Sequence, residues 1–221
     1  NIIIPKKVIT MFKDINLEKN KSLLVTATNT DVGKTYACEK ILLHLANKGF
    51  KVGYFKPFET GVIDLPEDGS SMLELTQILN PEFRCVNIND VVPYQFKLPA
   101  APYIAKKGLK INMRLLKEKK KYLEQFCDIL VIEGAGGLLV PIDENLFIID
   151  LIKEFNVYPI LIVPSNLGSI NDNLLSQEAL TNRGIEFSWL INLYKDKDNF
   201  EEVTLPFYKQ YFGNIEYLDK I

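Results

Sequence analysis

Histidine is almost missing from this chain: His44 is the only one in 221 residues. A Ser-His-Asp arrangement would have to rest on it. It falls inside a helical pattern, where a packing or helix-surface role is expected. Cysteine is scarce as well. Cys38, Cys85 and Cys127 are odd in number and far apart, which leaves neither a metal-ligand pair nor a disulfide framework. Positive charge is not in excess, since 26 basic and 28 acidic residues give a net charge of -2. A nucleic-acid binder shows a basic excess or a basic face. The densest basic run, KEKKK at 117–121, reads as a solvated helix face. No apolar run approaches the roughly 20 residues of a membrane span. The opening NIIIPKKVIT has no apolar core followed by a small-residue cleavage site. These absences lead us to expect a cytoplasmic protein with neither a nucleic-acid nor a membrane partner.

Low-complexity runs, internal repeats and linkers are missing too. What remains is 47% hydrophobic and long enough for one large α/β domain with a continuous core. Short apolar runs alternate with helical patterns. Strands are expected at 22–27, 51–56, 128–132, 157–163 and 187–192. Helices are expected at 34–47, 70–79, 113–126, 145–155 and 171–182, with Gly49 closing the first. This alternation implies crossover units and a doubly wound, mainly parallel sheet with helices on both faces. Near-continuous apolar strands fit a sheet covered on both sides. Residues 1–21 precede the first strand as an extension without an assigned role, and 22–221 form the single domain.

Ligands of such a sheet bind at the carboxyl ends of its strands. The loop after the first strand reads ATNTDVGKT and runs into a helix. Strand, loop, Gly-Lys-Thr and helix are the parts of a P-loop, the fold type of P-loop NTPases. Gly33 lets the backbone approach a phosphate, and the first amides of the helix lack internal partners and face the anion. Lys34 reaches the β- and γ-phosphates, and the Thr35 hydroxyl is placed for Mg²⁺. The usual spacing asks for glycine where Thr28 stands. The second strand ends in Lys56, which points into the crevice. The strand at 128–132 ends at Glu133, whose carboxylate is placed to hold Mg²⁺, and the small residues that follow it leave room for a substrate.

Five segments, TATNTDVGKT (26–35), KPFETG (56–61), PAAPYIA (99–105), VIEGAGGLLVPI (131–142) and NLGSIN (166–171), resemble in order and spacing those of the dethiobiotin synthetases. These are ATP-dependent ligases of biotin synthesis within the P-loop superfamily, and the likeness spans about residues 22–192. It implies that 7,8-diaminononanoate and CO₂ form a carbamate, that ATP phosphorylates it, and that the second amine closes the ureido ring. It implies ATP as co-substrate with Mg²⁺, and a homodimer with substrate near the interface. The implied nucleotide set is Asn29, Thr30, Asp31, Val32, Gly33, Lys34 and Thr35, with Glu133 and Asn192. Lys34, Lys56 and Thr30 are the implied catalytic groups. The implied substrate contacts are Lys56, Thr60 and Gly137, an alkyl-chain wall at 99–104, and the loop of Leu167, Gly168, Ser169, Ile170 and Asn171, which reaches the partner's substrate carboxylate.

The chain departs from the family pattern in several places. The first glycine of the family's loop is Ala27, whose methyl is expected to tighten the turn. A gap-free reading puts Ser71 where the family has a metal-binding aspartate, and Asp68 is the nearest acid. Either Asp68 joins Thr35 and Glu133 on the metal, or water does. The G-x-I-P segment that borders the base in the family ends in Glu216. Two rival readings are weaker. An amide ligase of the cobyrinate-synthase type carries a glutamine-hydrolysing domain, for which 221 residues leave no room. A partition-type ATPase switch carries an extra lysine early in its P-loop, and residues 27–32 contain none.

Overall fold

The run SLLVTA folds as β1 (Ser22–Ala27), with every side chain buried. Gly33 turns the chain into α1 (Lys34–Asn47), which packs Ala37, Ile41, Leu42 and Leu45 inward at helical spacing. Gly49, at φ +89°, closes that helix, with Phe50 donating its amide to the Leu45 carbonyl. The chain then forms β2 (Val52–Phe55), β3 (Phe58–Thr60), α2 (Glu67–Leu79), α3 (Ile88–Val91), β4 (Tyr94–Phe96), α4 (Pro102–Ala105) and α5 (Met113–Leu123). After β5 (Ile129–Gly137) come β6 (Pro141–Asp143), β7 (Leu146–Phe147), α6 (Asp150–Phe155), β8 (Tyr158–Pro164), α7 (Ser169–Thr181) and β9 (Ser188–Asn192). Finally α8 (Lys197–Asn199) runs through a wider turn at Phe200–Thr204 into α9 (Leu205–Phe212). This computed structural model describes residues 9–194 and 196–221, so the first eight residues of the 1–21 extension lie outside the described residues.

Five strands form one parallel sheet in the order β2-β5-β1-β8-β9. The chain leaves β1 first towards β2 and β5, then towards β8 and β9. With right-handed crossovers the helices of the two halves fall on opposite faces, which is the doubly wound arrangement. The carboxyl ends of β1, β2 and β5 therefore open together.

Several expected boundaries move, each for a physical reason. The strand expected to stop at 132 continues to Gly137, because β1 keeps pairing with it up to Ala27 opposite Gly137. Ala27 thus sits in the sheet, not in the turn. The helix expected over 145–155 begins only at Asp150, because residues 141–147 pair as the β6–β7 hairpin. The helix expected to end at 126 ends at Leu123 and tightens into a 3₁₀ turn. The helices expected from 70 and 171 start at Glu67 and Ser169. The basic run on α5 is engaged with acids: Lys117 with Glu154 at 2.6 Å, Lys119 with Asp90 at 2.5 Å and Lys120 with Glu124 at 2.5 Å. Among the described residues no helix is long and apolar enough to cross a membrane.

The outer edge of β9 is covered by both ends of the chain. Ile9 bridges Phe187, and Tyr217 bridges Ile191. Between them the Glu216 carboxylate accepts the amides of Phe12 and Lys13, and the Phe12 ring packs on His44 at 5.6 Å. Edge strands left bare invite pairing with other chains, and this one is closed. We expect Glu216→Ala to lower stability by about 1–2 kcal/mol, as for a hydrogen bond to a charged group near the surface. Amide exchange at Phe12 and Lys13 should rise while β1 stays protected. Unchanged protection at those two amides would mean that Glu216 does not hold the arm.

Candidate functional site

The P-loop leaves β1 at Thr28 and returns at Gly33 with φ +88°. A side chain at Gly33 would place its Cβ 2.4 Å from Asn192 Nδ2, so position and conformation both demand glycine. Asn192 donates Nδ2 to the Val32 carbonyl at 2.9 Å, and the Tyr194 hydroxyl donates to the Asp31 carbonyl. The end of β9 thereby braces the loop. Lys34 folds back and donates to the Asn29 carbonyl at 3.2 Å. Val32 is buried in the core, so it offers the loop only its backbone. Gly136 and Gly137 let β5 lie against the loop: a Cβ at Gly137 would sit 2.9 Å from the Thr28 carbonyl oxygen.

Four side chains converge on Glu133 and its neighbourhood. Glu133 Oε1 accepts from Thr35 Oγ1 at 2.9 Å and from Lys56 Nζ at 2.8 Å. Its Oε2 accepts from the Tyr54 hydroxyl at 2.7 Å. Lys56 also donates to Asp68 Oδ2 at 2.6 Å. The side chains of Lys56 and Glu133 are 6% and 2% exposed, whereas that of Asp68 is 50% exposed. Asp68 thus meets the same lysine as Glu133, whereas Ser71, the position of the gap-free reading, does not reach it. The Ser71 hydroxyl faces solvent and donates to the Glu67 carbonyl at 2.9 Å. The reason is the early start of α2, whose first amides are capped from outside the helix. Glu59 of β3 accepts the amides of Asp68 at 3.1 Å and Gly69 at 2.9 Å.

Charge and burial set the protonation states. Burial alone would depress the Lys56 ammonium, but Glu133 and Asp68 together hold its pKa well above the usual lysine range. Burial lowers the pKa of Lys34, with Glu133 working against the shift and Lys56 adding to it. Burial raises the carboxyl of Glu59, opposed by Lys56. Among the described residues no group of three or more His, Cys, Asp or Glu side chains is gathered to hold a metal alone. A cation here would have to share its ligands with a bound anion.

These groups line a cleft of about 770 Å³. The P-loop residues Thr30, Asp31, Gly33, Lys34 and Thr35 form one wall. Lys56, Glu59, Thr60, Asp68 and Glu133 form the floor, and Pro99 to Pro102 the apolar side. Two expected contacts lie elsewhere. Gly137 is packed under the P-loop, because β5 extends through it. Tyr103 and Ile104 turn to solvent. The 167–171 segment, expected at the substrate of a second copy, does not line this cleft; Leu167 is exposed and Ser169 fully buried at the start of α7. Tyr54, Glu59 and Tyr194 were not singled out from the sequence. Tyr54 had a signal, since it lies two residues before Lys56 and so on the same strand face. Glu59 and Tyr194 had none, because their partners are backbone groups brought in by the fold.

A family model described as an AAA domain matches residues 21–221. The ATP-dependent dethiobiotin synthetase BioD of Sulfurovum sp. (strain NBC37-1) is 50% identical over 191 residues, covering 86% of this chain and 91% of the relative. The enzyme of the same name from Wolinella succinogenes is 36% identical over 193 residues, covering 86% and 89%. Among solved structures, the MinD cell division protein of Aquifex aeolicus aligns with a TM-score of 0.52 at 18% identity, covering 89% of this chain and 79% of its own. A ParA family ATPase of Chlorobium tepidum TLS aligns with a TM-score of 0.52 at 11% identity, covering 89% and 82%. At such identities the structures share the fold alone.

The cap from Glu59 can be tested apart from any activity. Glu59→Ala should cost about 1–3 kcal/mol of stability, because two amides lose a buried acceptor. Hydrogen exchange should quicken at Asp68 and Gly69. Ser71→Ala should stay within about 0.5 kcal/mol of the parent, as surface changes do. Equal effects from the two variants would refute this account of the helix start.

Proposed function

The chain belongs to the ATP-dependent dethiobiotin synthetase family, and on that premise we propose how its cleft closes a ureido ring. It is an ATP-dependent ligase acting on small molecules. One amine of 7,8-diaminononanoate captures CO₂ as a carbamate. A carbamate oxygen attacks the γ-phosphorus of ATP and ADP leaves. The second amine attacks the carbon of the mixed anhydride, and phosphate leaves as the ring closes. A carbamate and a triphosphate repel one another, so cations must bring them together. The observation that carries the reading is that two buried lysines, Lys34 at the start of α1 and Lys56 just after β2, reach one cleft.

Lys34 and the amides at 30–35 hold the triphosphate. Lys56 holds the carbamate, with the hydroxyls of Thr30 and Thr60 as donors beside it, and residues 99–102 cover the alkyl chain. Phosphoryl transfer needs positioning and charge neutralisation more than covalent help. The donor set fits Mg²⁺, since Thr35, Glu133 and Asp68 offer hard oxygens, and nucleotide-bound Mg²⁺ takes one or two carboxylates and keeps waters. Bound beside the triphosphate, Mg²⁺ supplies neutralisation of its oxygens. Until then the Lys56 ammonium holds the two carboxylates together. Asn192 keeps a buried Oδ1 without a hydrogen-bond partner, an acceptor suited to the exocyclic amine of adenine. The 167–171 loop, which leads into α7, serves the substrate carboxylate of a second copy through its backbone amides. Leu167 and Leu175, exposed at 77% and 57%, support such a homodimer. We place the enzyme in the cytoplasm, where ATP is supplied.

Incubation with 7,8-diaminononanoate, bicarbonate, Mg²⁺ and ATP should yield dethiobiotin by mass spectrometry; ATP consumption without that product would reject the reading. Lys34→Ala should lower kcat by about 10²–10³-fold, the size of a lost charge-stabilising donor. Lys56→Gln should lower kcat and kcat/KM together while calorimetry finds nucleotide affinity largely intact. Loss of nucleotide binding in Lys56→Gln would move Lys56 to the triphosphate and displace the carbamate. Light scattering at fully active enzyme concentrations should give the mass of a twofold dimer, and a monomer there would exclude a shared site.

A further inference from the structure

Tyr54 is fully buried, and its hydroxyl meets a single acceptor, Glu133 Oε2, at 2.7 Å. β2 runs beside β5 with Tyr54 opposite Val131. Glu133 lies two residues beyond Val131, hence on the same face, and the long tyrosine side chain reaches it diagonally. Lys56, two residues after Tyr54, meets the other oxygen of the same carboxylate. The two residues thus divide Glu133 between them. Lys56 and Thr35 take Oε1 on the cleft side, and Tyr54 takes Oε2 on the inner side.

We infer that Tyr54 is a positioning residue: its hydroxyl fixes the rotation of the Glu133 carboxylate so that Oε1 faces the cleft. The inference rests on the reading of Glu133 as a Mg²⁺ ligand given above. The last torsion of a glutamate is broad and prefers no single staggered well. Thr35 and Lys56 hold only Oε1; without the Tyr54 hydroxyl Oε2 loses its restraint, and a less restrained carboxylate is a poorer ligand. A bond of this kind from an outer group to a ligating carboxylate orients it, and its loss typically lowers metal affinity or activity by about 10–100-fold. A phenylalanine at this position would fill the same core space without placing a donor on Glu133.

The test uses the full chain with a non-hydrolysable ATP analogue, titrating Mg²⁺ by calorimetry and the analogue alone in chelator. Tyr54→Phe keeps the ring and removes the hydroxyl. The dissociation constant for Mg²⁺ should rise by about 10–100-fold, while metal-free analogue affinity stays unchanged. In a Glu133→Gln background the same substitution should add nothing, because both act through one carboxylate. Replacement of Tyr54 by p-aminophenylalanine, which restores a ring-borne donor, should recover most of the lost affinity. If Glu133→Gln alone leaves Mg²⁺ affinity unchanged, the metal reading of the site fails. If Glu133→Gln weakens Mg²⁺ and Tyr54→Phe does not, that reading stands and the positioning role is overturned. Should Tyr54→Phe fail to fold, the parent enzyme labelled with carbon-13 at the tyrosine Cζ gives the answer. The Tyr54 resonance should move when Mg²⁺ is added to the analogue complex, and a resonance that stays still would overturn the inference.

Discussion

The ion pair of Lys56 and Glu133 is the contact on which the rest of the site depends. Both side chains are almost wholly out of water and 2.8 Å apart. Such pairs are weak arguments for stability, because desolvation offsets most of the Coulomb attraction. Well-packed apolar residues would serve the fold at least as well. Losing one partner is another matter, since an uncompensated buried charge costs about 3–5 kcal/mol. The pair therefore constrains everything near it. Glu133 has to sit where β5 enters the cleft, Lys56 has to follow β2 directly, and Asp68 and Tyr54 have to supply the remaining partners. A cation and an acid that the fold alone would not require are kept together at the mouth of the sheet.

Close approach is the second constraint. The P-loop lies on β5 with no room for side chains at Gly137 and none at Gly33, where Asn192 stands behind it. The small residues after Glu133 therefore serve two needs. Gly134 to Gly136 border the cleft, while Gly137 allows two backbones to meet. Ala27 pairs with Gly137 within the sheet and is fully buried, and a Cβ at Gly137 would press on the Ala27 and Thr28 backbone.

Much of this was legible in the sequence. The strand SLLVTA and the helix after it could be read to the residue, because period and apolar continuity agree there with burial. Lys34, Thr35, Lys56 and Glu133 could be placed at strand ends because α/β sheets open there. What escaped lay in contacts between separate elements. The start of α2 depends on a cap donated by Glu59 from another element, and no local signal at 67–70 carries it. The short β6–β7 hairpin broke a helical pattern at 145–149 because strand pairing outweighed helical spacing. Asp68 was named as the nearest acid, but only the earlier helix start turns it towards Lys56.

The covered edge of β9 has a meaning in entropy. Glu216 and Phe12 are 204 positions apart, so their contact closes a very long loop. The entropy of closing a loop grows only with the logarithm of its length, each doubling adding about 0.6 kcal/mol. A clasp over this span therefore costs little more than one over half of it, and it sits on the strand whose last residue, Asn192, braces the phosphate loop.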